Sequence, residues 1–221
     1  YTRRQNGDTR GLPVPSNDAI FATRTTTRLL DALKERDNQP AWAHIDTRYR
    51  PVIAGTARRL GLSDADAEET AQRTLAEFVR VYREGKYDRS KGRLSSWILG
   101  IAHRTALRVK RDGRRAAHLD MDQAEDHTLA PEHDAALRSI WTDERDRTIL
   151  ARAFDLLRED AGLDPRTVLA FELVAMRGVP AQEAASQCQM SVDQVYVART
   201  RMTKRLRRLV EELTHAFEED I

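Results

Sequence analysis

Two neighbouring runs, SDADAEETAQRTLAEFVRVY from Ser63 to Tyr82 and GRLSSWILGIAHRTALRVKR from Gly92 to Arg111, decide how the chain is read. In the first, Ser63 is placed to cap a helix with Asp66 three residues on. Ala71, Leu75, Phe78, Val79 and Tyr82 recur at helical spacing as a core-facing stripe. Asp66, Glu68, Glu69, Gln72 and Arg73 are left outside it, mostly near the helix start, where carboxylates complement the dipole. In the second run Leu94, Ile98, Ile101, Ala102, Thr105 and Val109 form the stripe, while Trp97, Arg104, Arg108 and Arg111 lie along another face. An indole accepts any unstacked base and cations neutralise phosphates, so this face suits separated nucleic-acid strands. A core-edge tryptophan beside a solvated basic face is the competing reading.

The runs DADAEETAQRTLAEF (64–78) and YDRSKGRLSSWILGIAHRTALRVKR (87–111) resemble region 2 of bacterial sigma factors of the extracytoplasmic-function (ECF) type. The likeness extends over most of Leu29 to Arg115, with the acidic helix, the Gly-x-x-x-x-Trp spacing and the basic helix in the family's order. It implies that Asp66, Glu68, Glu69, Gln72 and Arg73 dock on the β′ clamp helices of core RNA polymerase. It also implies that the following segment melts and reads the promoter −10 element through Trp97, Arg104, Arg108 and Arg111. The loop REGKYDRSKGRL (83–94) adds Lys86, Arg89, Lys91 and Arg93 as phosphate-contact candidates, against the alternative of a solvated turn. Arg104 stands where the family usually carries asparagine, so a −10 sequence preference does not carry over.

Outward from this centre, the chain of 221 residues fits two small helical units better than one large core. No Val/Ile/Thr run alternates with period two, which predicts an all-α fold; the resemblance implies that its first unit is a region 2-like bundle, joined by an acidic linker to a helix-turn-helix unit. The net charge of +2 conceals segregation. Residues 25–115 hold 20 basic against 12 acidic residues, and residues 116–146 hold 2 against 9. A basic body beside an acidic connector points to a polyanion-binding surface. One cysteine, Cys188, excludes an internal disulfide framework and suits a reducing cytosol. No long apolar run is present, so neither membrane insertion nor a signal segment is expected, and the expected location is cytoplasmic.

The expected boundaries are a flexible tail over 1–24, a first domain over 25–115, a linker over 116–133 and a second domain over 134–221. Arg3, Arg4 and Arg10 in the tail are either phosphate contacts or simply solvated. Pro40 opens a helix that Pro51 should kink or split, and Gly61 should stop it. In the linker, His118, Asp120, Asp122, Asp126, His127 and nearby His133 raise the thought of a metal site, but a flexible acidic segment lacks fixed donor geometry. No metal or other cofactor is therefore expected. In the resembled family this linker threads towards the RNA exit path.

In the second unit Leu137, Ile140, Trp141, Ile149, Leu150, Phe154 and Leu157 mark a first helix, and Asp164-Pro165 starts a second that Gly178 ends. VPAQEAASQCQMSVDQVYVARTRMTKRLRRL (179–209) then has helix-turn-helix proportions: Ala184, Ala185 and Cys188 face inward, Met190 plugs the turn and Ser191 caps the second helix. Ser191, Asp193, Gln194, Tyr196, Arg199, Thr200 and Arg201 are the candidates for reading a major groove, with Lys204 and Arg205 holding the backbone. Six cations between Arg199 and Arg208 without an acid exceed what a solvated face requires. This segment resembles region 4 of the same factors, which reads the −35 element and meets the polymerase β flap. Gln189 occupies a usual glycine position, where positive φ carries a cost. The tail EELTHAFEEDI (211–221) extends this helix with Leu213 and Phe217 on one side and acids at its end; it is expected to fray, against the alternative of an autoinhibitory contact with the basic helices.

The leading reading is a sigma factor that binds core polymerase and promoter DNA, with no catalytic residue of its own. The resemblance also implies an anti-sigma partner covering both faces. The alternative is a stand-alone dimeric helix-turn-helix regulator on a palindromic site. Thr70 and Thr74, on the acidic helix, are sites where a phosphate would add charge.

Overall fold

Asn38 begins the first helix that lies wholly among the described residues by accepting a hydrogen bond from the Ala41 N–H, with Pro40 in the first turn where its missing donor costs nothing. The structure, a computed structural model, describes residues 32–35, 38–88, 90, 92–116 and 131–218. Its order is α1 (Gln39–Arg59), α2 (Asp64–Arg83), α3 (Leu94–Ala116), α4 (Pro131–Glu159), α5 (Pro165–Phe171), α6 (Ala181–Cys188) and α7 (Val192–Glu218). No strand occurs among the described residues, and the fold is all-α as the sequence predicts. The amino-terminal tail and most of the acidic linker, with His118, Asp120, Asp122, Asp126 and His127, lie outside the described residues.

Pro51 does not split α1. The helix runs through it, with the proline exposed on the outer side and Val52 and Ile53 fully buried beyond it. At the end of α1, Gly61 adopts φ +87°, and the Leu62 N–H reaches back to the Ala57 carbonyl, which closes the last turn. Ser63 then caps α2, its hydroxyl accepting from the Asp66 N–H at 3.2 Å. The stripe expected on α3 is buried throughout, from Leu94 and Ile98 to Thr105 and Val109.

In the carboxy-terminal half, Asp164 caps α5 by accepting from the Arg166 N–H. The chain continues as a five-residue π-helical turn, Glu172–Met176, before Gly178 at φ +66° reverses it. Helix α6 ends at Gln189 in the left-handed region, φ 54° and ψ 47°, and α7 follows within three residues. Ala170, Leu173, Ala184, Ala185, Cys188, Val195 and Ala198 form a small core between α5, α6 and α7.

The main core crosses the midpoint of the chain. Ile45, Tyr49, Ile53, Phe78 and Ile98 from α1 to α3 share one buried cluster with Leu137, Trp141, Ile149 and Ala153 of α4, and with Leu213 and Phe217 of α7. Helix α4 packs on both α1 and α7. Over residues 211–218 the expected fraying of the tail is corrected by this packing: Leu213, Ala216 and Phe217 are at most 4% exposed, because a hydrophobic seat on α1 and α4 receives them, while residues 219–221 lie outside the described residues.

Candidate nucleic-acid interface

Helix α2 keeps its carboxylates on the outside because Ala67, Thr70, Ala71, Thr74, Leu75 and Phe78 take the inner face. Glu68, Glu69, Gln72 and Arg73 are exposed, and Asp66 is half-covered by the Ser63 hydroxyl, which donates to it at 2.8 Å. Arg58, at the end of α1, bridges Asp64 at 2.7 Å and Glu68 at 2.9 Å. Arg73 pairs with Glu69 at 2.6 Å and approaches Asp112 of α3 at 3.8 Å. Exposed pairs of this kind contribute only about 0 to 1 kcal/mol each, so a partner protein can exchange into them at small cost. Further along, the Glu77 carboxyl is held below its ordinary value by hydrogen bonding to Arg80. Thr70 and Thr74 are fully buried, each with its hydroxyl lacking a hydrogen-bond partner, so the expectation of a phosphate acceptor at either position is corrected: in this packing neither hydroxyl reaches solvent.

On α3, Arg104, Arg108 and Arg111 are exposed and Arg93 lies exposed just before the helix. Lys86 is exposed but already bridges Glu84 at 2.6 Å. Arg89 and Lys91 lie outside the described residues. Trp97 is half-buried: its ring meets Phe78 edge-on at 5.7 Å and stacks on Tyr87 at 5.0 Å with 29° between the planes. Tyr87, which the sequence reading did not single out, thus forms an aromatic pair with Trp97, while its hydroxyl donates to the Gly92 carbonyl at 3.3 Å and ties down the basic loop. An aromatic residue inside a basic loop, ahead of an aromatic helix start, was the signal that could have found it. One indole face is occupied by the tyrosine, so a base would join an existing stack.

The second candidate surface lies on α7. The Ser191 N–H donates to Gln194 Oε1 at 2.8 Å, and the Gln194 N–H donates to Ser191 Oγ at 3.2 Å. Both side chains therefore form a reciprocal cap, which fixes the start of the helix and leaves the Gln194 amide NH2 outside it. Asp193, Tyr196, Arg199 and Arg201 are exposed, whereas the Thr200 hydroxyl is turned back onto the Tyr196 carbonyl at 3.0 Å. Val197, 55% exposed, is a surface residue the sequence reading did not name; an apolar side chain here suits a thymine methyl group. Lys204 is exposed, and Arg205 is tied to Asp160 in the turn before α5. A groove of about 390 Å³ runs between the start of α5 and the start of α7, with Arg166, Met190, Val197 and Arg201 in its walls.

Cys188 is buried behind α7, and its burial pushes the thiol above its ordinary pKa. No cluster of His, Cys, Asp or Glu among the described residues could hold a metal ion. No helix among them is long and apolar enough to cross a membrane.

No curated protein matches the chain. Residues 45–116 match the family model described as Sigma-70 region 2, and this interval holds most of α1 and the whole of α2 and α3. The acidic helix, the aromatic pair and the cationic helix all lie within this interval, which is similar to Sigma-70 region 2.

Proposed function

We propose that the chain is a sigma factor of the ECF type, which binds core RNA polymerase and directs it to a promoter. The carrying observation is the separation of two outer faces within the region 2 segment: exposed carboxylates on α2, and cations with an aromatic pair on α3 and its preceding loop. The first suits the β′ clamp helices. The second suits a −10 strand whose bases have left the duplex. Helices α6 and α7 have helix-turn-helix geometry, which supports −35 readout by Asp193, Gln194, Tyr196, Arg199 and Arg201. A groove of about 400 Å³ bordered by Leu163, Pro165, Val168 and the exposed Leu169 offers the β flap an apolar seat. The chain is not an enzyme, since phosphodiester chemistry belongs to the polymerase it serves. The two faces together are also what an anti-sigma protein would cover.

The test is transcription in vitro with core polymerase, followed by mapping of start sites. Promoter-dependent initiation is the expected result. Within it, Trp97→Ala should reduce open-complex yield by about 1 to 3 kcal/mol, the worth of one base stack, while duplex binding changes less. A homodimer that binds a palindromic duplex and ignores polymerase would replace this reading with the stand-alone regulator.

A further inference from the structure

Between the first turn of α3 and the middle of α4 lies a cavity of about 170 Å³ whose lining is rich in hydrogen-bond donors and, among the described residues, holds no carboxylate. Three guanidinium groups line it, Arg93 just before α3 and Arg138 and Arg145 on α4, together with the hydroxyls of Ser95, Ser96 and Thr142. Arg138, Thr142 and Arg145 follow one another at steps of four and three, so a single face of α4 supplies them. Leu99, Trp141 and Phe217 complete the walls, and all three belong to the main core, which keeps the floor of the cavity apolar.

The acids of α4 nearest in sequence to these arginines are engaged elsewhere. Asp143 bridges Arg59 of α1 at 2.8 Å, and Glu144 bridges Arg59 at 3.2 Å and Arg147 at 3.1 Å. Glu144 also fills the space above Gly55, where a Cβ would meet its carboxylate. Asp146 does pair with Arg145, at 2.9 Å, but it stands outside the lining. Like charges gathered in a cleft with apolar walls repel one another, and such surroundings make both the repulsion and its relief by an anion larger than in open water. Guanidinium forks and hydroxyls match the oxygens of a tetrahedral oxyanion. Size narrows the class further. Sites for whole small-molecule ligands are generally about 300 Å³ or larger, so a phosphate-sized group fits here and a base with its sugar does not.

We propose that this cavity is a binding site for a small phosphate, either the inorganic ion or the terminal group of a phosphate ester whose remainder stays in solvent. The bound anion takes donors from both halves of the chain, so it stabilises the folded molecule as its concentration rises. Only Arg93 is shared with the promoter contacts proposed above, and the site needs no polymerase to fill.

The test is calorimetric titration of the full chain with inorganic phosphate at fixed ionic strength. One saturable site per chain is expected, with none for chloride. Arg138→Gln, and separately Arg145→Gln, should weaken the affinity by about tenfold or more, the worth of one hydrogen bond to a charged group. Arg177→Gln removes the same charge outside the cavity and should leave the affinity unchanged. No saturable site, or an equal loss in Arg177→Gln and Arg138→Gln, would mean an adventitious ion only and overturn the proposal. A second arm titrates a single-stranded oligodeoxynucleotide, whose affinity should be the same for the parent chain and Arg138→Gln. A tenfold loss there, without a phosphate site, would give the cavity to the DNA strand and likewise overturn it. The sigma-factor reading stands apart from all of these outcomes, because the transcription assay decides it.

Discussion

Gln189 carries the one positive φ outside glycine among the described residues, 54°, and pays for it in the turn that sets α6 against α7. A side chain with a Cβ in the left-handed region costs about 1 kcal/mol or more, so Gln189→Gly should raise stability by roughly 1 kcal/mol. Thermal unfolding of the full chain would show this as an upward shift of about 2 to 4 °C, and an unchanged midpoint would mean that the turn is not strained. The sequence had announced this position, because a glutamine between Cys188 and Met190 occupied a glycine place. Other residues were not legible one at a time. Trp97 read as a stacking surface, but only the fold shows that Tyr87 already lies against it. Arg48 was not singled out, since nothing local tells a buried guanidinium from a solvated one; the Ala216 carbonyl it donates to is 168 positions away.

Among the elements, α2 and α3 were the most legible, because each keeps an unbroken 3.6-residue stripe and a clear start. Ser63 does much of this locally, and Ser63→Ala should destabilise α2 by about 1 kcal/mol, the ordinary worth of a cap. Amide exchange along the first turn would report the loss, and protection equal to that of the parent chain would deny Ser63 its role. Helix α1 runs on through Pro51 without splitting. Neighbouring helices hold Val52 and Ile53 in the core, and that burial outweighs one missing hydrogen bond on the exposed side. The end of α7 was misjudged for a related reason. Leu213 and Phe217 alone in an acidic tail look like fraying, whereas the aromatic seat formed by Tyr49 and Trp141 exists only after folding.

For the whole molecule, the shared core makes stability a joint property of both halves. Residues from α1 to α3 and from α4 and α7 occupy one cluster, so unfolding should follow a single transition with coincident circular dichroism and tryptophan fluorescence curves. Two separated midpoints would show that the halves unfold independently. Charge segregation was readable from the sequence because it needs only counting, while the way the halves meet was not, because it depends on shape. Gly55 is one of the places where they meet. The absence of one carbon lets a helix backbone and a carboxylate come together, so the position works as a shim of zero thickness. A larger side chain there meets the far end of Glu144 before any backbone, so the toll of filling the gap falls on that carboxylate and on its bridges to Arg59 and Arg147.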